Sequence, residues 1–374
     1  MISPYLQQNI QKENARFREK RRETFGTPAY VAETYVSDLI DHAYFDALLS
    51  VRHFMQAASY HYFTEEHDAR NVDLFMWTSS VSSPMCPGSD SEPIRISFGG
   101  LDTNLVDSSQ FGFEPLLFHS GRMVYCYLPS MRGEDPDHRH LNQFYHCECE
   151  LVGTLDDVMR VAEGYVKHLC EVLCAMEPVV RLASDDPDRT VSALARAAGA
   201  DAFPRVSFDE AVERLKRESD GARFVRRTAH GRDITSSGEL TLADLYGFRT
   251  PFWITHYDRD CVPFYQKPVA ENQEKVHNAD LIFPALRVGA FGGEVLGCGQ
   301  RQDTAAEMRD SLRRQDDIPP EQYQWYINLR DKPGYRTTSG FGLGIERFLV
   351  WALSKPHIRD VSLYPRIKGV QTYP

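Results

Sequence analysis

Two separate stretches of this chain carry arginine, glycine and aromatic residues at spacings that suit a nucleotide. Residues 339–366 read SGFGLGIERFLVWALSKPHIRDVSLYPR. In an extended strand side chains alternate between faces, so Gly340, Gly342 and Gly344 share one side and Phe341 and Leu343 the other. The apolar side packs into a core. The bare side lets a flat ring lie against the backbone, one reason to keep glycine inside a strand. The spacing predicts a helix from about Ile345, with Arg347 beside the end of the platform. A guanidinium there can make two parallel hydrogen bonds to a phosphate. Taken alone, the same ladder suits a tight strand-to-helix corner better than a nucleotide site.

Residues 122–152, RMVYCYLPSMRGEDPDHRHLNQFYHCECELV, predict a hairpin around the polar loop EDPDHRH. Arg132 and Glu134, two apart, are expected to share a face of the first strand. On the second, Phe144, His146, Glu148 and Glu150 share a face, with Tyr145, Cys147, Cys149 and Leu151 opposite. A solvated sheet with cross-strand ion pairs accounts for the charges. It does not account for Phe144 among them. An aromatic ring there can stack on a base while Glu134 reads an amino group and Arg132 holds a phosphate.

The elements that must position these groups are those of an α+β protein. Apolar residues recur at helical spacing from Asp41 to Phe63, and LFMWTSSV, PIRISF and residues 122–129 read as strands. Residues 178–238 read as a helical insertion with flexible joints, and residues 1–40 as an N-terminal helical arm with a charged, solvated face before a main domain at 41–374. Elements that do not alternate regularly predict a mostly antiparallel sheet flanked by helices. With 42% hydrophobic and 25% charged residues the chain can build a substantial core. Its net charge of −11 argues against a protein whose main work is gripping nucleic acid. No apolar run is long enough for a membrane span and the N-terminus lacks a signal-peptide core, so a soluble, cytoplasmic protein is expected. Eight cysteines occur without a CxxC pair and read as reduced structural thiols, not zinc ligands.

With these residues in view, the chain resembles the catalytic domain of class II aminoacyl-tRNA synthetases, most closely the asparaginyl enzymes. SMRGEDPDHRHLNQFYHCECEL is similar to the family's motif 2, and GFGLGIERF with IRDVSLYPR to motif 3 and its tail. LVDSSQFGFE, FPRVSFDEAVERL, PFYQKP, ADLIFP and GGEVLGCGQR extend the resemblance over about residues 41–374, with Pro84 a weaker match to the motif 1 proline.

The resemblance implies a homodimer and a site that takes ATP and Mg2+. Arg132 would hold the α-phosphate, Glu134 the adenine amino group and Arg347 the γ-phosphate. Phe144 and Arg347 would cover the two faces of the ring above Gly342 and Gly344. Arg132 and Arg347 would be the catalytic groups. In the loop, His138, Arg139 and His140 suit closing over ATP or guiding an acceptor, with His140 counted among the ATP contacts, and suit a plain polar loop equally well. Asp280 and Glu294 would hold magnesium. Gln110, Glu114, Glu148 and Arg301 would bind the amino acid, Arg301 donating to a side-chain carbonyl while Glu148 accepts from an amide nitrogen. That pairing favours asparagine over aspartate, as does Phe113 where aspartyl relatives place lysine.

The chain departs from the pattern in several respects. Gln143 stands in place of glutamate, and Gly299 where a serine helps hold the metal. Glu294 and Arg301, seven apart, need a bulge at Gly297–Gly299 to face one side. There is also no room before Asp41 for the synthetases' N-terminal anticodon-binding barrel, so an acceptor other than tRNA is expected. The leading expectation is an ATP-dependent ligase that forms an aminoacyl-adenylate. The alternatives are ammonia-dependent amidation of aspartate, or an inactive sensor of ATP or an amino acid.

Overall fold

The computed structural model describes residues 2–18, 26–82, 91–119, 121–315 and 320–372. Pro84 and Cys86 lie outside them. The architecture is α+β. Its centre is an eight-stranded sheet of β1 (Arg70–Asn71), β2 (Met123–Met131), β3 (Gln143–Val152), β4 (Arg205–Ser207), β5 (Phe252–Thr255), β6 (Asn278–Phe283), β7 (Gly293–Gln300) and β8 (Thr338–Gly344). The strand order is β1-β2-β3-β8-β7-β6-β5-β4. The pairs from β2 to β5 are antiparallel, and β1 and β4 join the two edges in parallel.

Alternation along the strands divides the sheet into two unlike faces. Cys147, Cys149, Leu151, Phe341 and Leu343 point into the main core, packed by α1 (Pro4–Arg18), α2 (Ala43–Tyr60), α3 (Leu155–Ala175), α4 (Pro187–Ala198) and α7 (Ile345–Ala352). The long α3 starts at a capping box in which Thr154 and Asp157 satisfy each other's backbone N–H groups. Leu155, Val158, Ala162, Val166, Leu169 and Leu173 line its buried face. Arg52 of α2 pairs with buried Glu346 of α7 at 2.8 Å, and Glu346 also accepts from the Tyr145 N–H, so one carboxylate ties two helices to β3. Among the described residues, the cysteines are free thiols. No helix among them is long and apolar enough to cross a membrane.

Two segments differ from the sequence-based expectation. The N-terminal segment is helical as expected but docked, not solvated: Leu6, Ile10 and Phe17 of α1 are buried in the core, and the Asn14 side chain donates to the Ala175 carbonyl at 2.8 Å. Three apolar residues on one stripe anchor it despite their many polar neighbours. Segment 178–238 is woven into the fold. It supplies α4, which packs on α3, the edge strand β4, α5 (Phe208–Lys216), and the start of α6 (Ser236–Tyr246). It also forms a small hairpin of Val225–Arg227 with Arg232–Ile234. Its alanine-rich, charged composition hid a buried face that includes Ala193, Leu194, Ala197, Val206 and Phe208.

Candidate active site

Opposite the helices, the other face of the sheet is paved with glycine. Across adjacent strands one register row runs Glu148, Gly342, Gly297, Asp280, and the next runs Glu150, Gly340, Gly299, Asn278. Four glycines thus lie side by side, flanked by carboxylates and an amide. Above them is a cleft of about 390 Å³ lined by Gln110, Arg132, Glu134, His140, Glu148, Asp280, Glu294, Arg301, Gly342 and Arg347. A recess of about 70 Å³ continues from it, shares Arg132, Glu134, Glu294, Gly342 and Arg347, and adds Phe144 and Gly344.

The glycines have distinct uses. Gly342 has Glu148 3.4 Å and Gly344 has Arg347 3.5 Å from where a methyl would sit, so both leave ordinary space over the backbone. Gly340 does not offer a bare platform: a methyl there would collide with Glu150 and Arg301, which already cover it. At Gly299 the side-chain amide of Gln266 lies against the backbone where any larger residue would be.

At the nucleotide end, β2 stops at Met131, so Arg132 and Glu134 stand on the following loop and not on the strand. Asn142 pins that loop by donating to the Arg132 and Glu134 carbonyls at 2.9 and 2.8 Å. The Arg132 guanidinium lies 5.4 Å from the Phe144 ring centre, with its Nε buried and unpartnered. Arg347 projects from the first turn of α7, donating to Glu294 Oε2 and to His140 Nε2, both at 3.0 Å. Burial and the neighbouring Arg347 lower the pKa of His140. The neutral ring therefore accepts from Arg347 while its Nδ1–H donates to Asp137 at 2.9 Å. Arg139 is buried with Nε and Nη1 unpartnered.

Asp280 and Glu294 flank Gly297, 3.1 and 3.7 Å from its would-be methyl. Glu239 of α6 adds a third carboxylate, accepting from the Glu294 N–H at 3.1 Å and from Arg139 at 3.3 Å. Burial, then the charge of Glu294, raises the Asp280 pKa well above the carboxylate range, whereas Arg347 holds Glu294 low despite burial. Crowded hard oxygen donors of this kind fit Mg2+. Glu294 reaches this face because β7 carries a bulge between Glu294 and Leu296, leaving Val295 as the extra residue. That relocates the bulge expected at Gly297–Gly299, where the register is regular. With Val295 and Leu296 both in the core, Glu294, Gly297 and Gly299 share the cleft side.

At the amino-acid end, Glu148 is buried, accepts from the Ser108 hydroxyl and accepts from the Ser109 N–H at 2.7 Å. Burial pushes its pKa up to about 7. Arg301 is clamped by Glu150 through two bonds of 2.9 and 2.7 Å and donates to Gln110 at 2.7 Å. Its Nη1 remains buried and unpartnered, as does Gln266 Oε1. Glu114 is placed differently from the expectation. It is outside the cleft lining, buried against Arg330 at 2.9 Å and the Tyr326 hydroxyl, so it braces the wall behind. Sequence reasoning did not assign Glu150, Glu239 or Gln266. Glu150 was visible in the polar face of β3 and Gln266 in PFYQKP, whereas Glu239 stands in unremarkable helical sequence.

A mostly antiparallel sheet with this cleft on one face and helices on the other is the architecture of class II aminoacyl-tRNA synthetases. The family model for class II tRNA synthetases (D, K and N) matches residues 97–368, and the chain belongs to that family. It is 31% identical over 265 residues to the asparagine–tRNA ligase of Thermococcus kodakarensis, covering 70% of this chain and 57% of that relative. The chain therefore spans a little over half the length of that relative. The fold is shared with the asparaginyl-tRNA synthetase of Pyrococcus horikoshii complexed with asparaginyl-adenylate, at a TM-score of 0.80, 24% identity, 93% of this chain and 74% of that one. The Entamoeba histolytica asparaginyl-tRNA synthetase, also in complex with asparaginyl-adenylate, gives 0.75, 21%, 93% and 74%.

Proposed function

We propose that the protein activates asparagine with ATP as an aminoacyl-adenylate and transfers the acyl group to an acceptor other than tRNA. The observation that carries this reading is the junction of two sites on one glycine floor. Arg132, Glu134, Phe144 and Arg347 meet at one end, and Glu148, Gln110 and Arg301 at the other. A substrate carboxylate placed between them would attack the α-phosphorus of ATP, forming the anhydride bond as the bond to pyrophosphate breaks. Arg132 would hold the α-phosphate as its charge develops, and Arg347 the γ-phosphate, the adenine lying between Arg347 and Phe144. Asp280 and Glu294 would hold Mg2+, which when bound neutralises phosphate charge. No nucleophilic side chain is required, because positioning and charge stabilisation supply the rate. Net charge −11 supports an acceptor less anionic than tRNA.

Amidation of aspartate is a second reading, favoured by one observation: a Glu148 that holds its proton up to about pH 7 tolerates a carboxylate beside it. ATP–pyrophosphate exchange tests both. Exchange with asparagine and not aspartate is expected, and the reverse would establish the second reading. ATP binding without exchange for either amino acid would leave a sensor. Mass spectrometry of products formed with ammonia, amines and tRNA then identifies the acceptor.

A further inference from the structure

On the far side of the sheet, away from the glycine floor, α2 does not end as an ordinary helix. Residues His61–Glu66 form a π-helical turn. In an α-helix residues five apart point about 140° away from each other. The i→i+5 bonding of a π-helix instead stacks them on one side. His61 and Glu66 are such a pair, and α3 presents His168 to them. The potential ligand atoms of these three residues all lie within 4.8 Å of one another.

We propose that His61, Glu66 and His168 form a structural site for a zinc-class divalent cation. Tetrahedral zinc bound through nitrogen or oxygen at about 2.0–2.1 Å sets its ligand atoms about 3.3 Å apart. His61 Nδ1 is 3.3 Å from His168 Nε2 and 3.5 Å from Glu66 Oε1, which matches two edges of that figure, while the third side is longer, Glu66 Oε1 lying 4.0 Å from His168 Nδ1. Two imidazoles and one carboxylate suit a borderline-soft ion, in contrast to the all-oxygen set at Asp280 and Glu294. Glu65 lies 3.5 Å from His61 Nε2, where it can take that N–H and leave the Nδ1 lone pair facing inward. Both rings are buried, while Glu66 is exposed. The hydrogen held between the two rings moves to an outer ring nitrogen when the ion enters. The bound ion would fasten the π-turn to α3.

The test uses chelator-stripped full-length protein equilibrated with ZnCl2 in excess Mg2+, which occupies the carboxylate site. After gel filtration, elemental analysis is expected to find about one zinc per chain. Co2+ in its place should give the visible bands of a four-coordinate ion, and zinc should raise the melting temperature. His61→Gln and His168→Gln are expected to abolish uptake. Should either fail to fold, Glu66→Gln decides, because it leaves the buried rings in place and is expected to weaken zinc by about tenfold or more. Absence of zinc in the wild type, equal zinc in the histidine variants, or unchanged affinity in Glu66→Gln would each overturn the assignment and leave a plain histidine–histidine hydrogen bond.

Discussion

Glu148 sets the charge at the amino-acid end of the cleft. Burial pushes its pKa up to about 7, so it is ionised above that pH and protonated below it. The ionised form accepts from a carboxamide and repels a carboxylate. The preference for asparagine over aspartate in pyrophosphate exchange is therefore expected to fall by up to about tenfold per pH unit below about 7, and to lose this dependence in Glu148→Gln. Arg132 has a different task. Its Nε is buried without a partner, so Arg132→Ala is expected to lower the exchange kcat by about 10²–10³-fold while the melting temperature changes little. Gly299 is occupied by its neighbour: Gly299→Ser drives a side chain into the Gln266 amide. Denaturant unfolding should show a loss of about 1–3 kcal/mol that Gln266→Ala largely restores.

Elements position these residues through two devices, a bulge and a clamp. Without the extra Val295 a regular β7 would turn Glu294 into the core and away from Asp280. The small hairpin that brings Arg226, Asp233 and Ile234 to the cleft is held by Asp258, which accepts from Arg232 and from Lys275 at 2.6 and 2.8 Å. Although burial pushes upward, these two partners hold the Asp258 pKa down to about 2. A carboxylate whose folded pKa is depressed contributes stability above its ordinary 3.8 and loses it as pH falls through about 2. Thermal unfolding at descending pH is expected to show this loss in the wild type and to flatten in Asp258→Asn. Much at this scale was legible beforehand. Alternation along β3 and β8 placed every cleft-facing residue correctly, because period two is local. The docking of α1 and the weaving of segment 178–238 were not, because composition averages over the few apolar residues that anchor a helix or an edge strand.

At the scale of the whole molecule, a groove beside α2 exposes Ile40, 75% accessible, and Leu49, 55% accessible, next to Leu39 and Leu363. A second copy of the chain is the occupant expected from the dimeric class II resemblance. Light scattering should give the mass of two chains, and Ile40→Asp with Leu49→Asp should shift it to one. A monomeric wild type would remove the dimer from the account.

Sequence alone determined the chemistry available. Glycine at alternate positions, a phenylalanine among acids, and arginines at the ends of strand and loop are properties of local order, and local order is what alternation and motif spacing read. Only the tertiary structure decided which groups meet. Register between strands distant in sequence joined Gly297 and Gly299 to Gly340 and Gly342 as one floor, and drew Glu150 onto Arg301. It turned Glu114 toward Arg330, and brought Glu239 beside Glu294. Such meetings depend on hydrogen bonds and packing between segments tens to hundreds of residues apart, and no single stretch of chain records them.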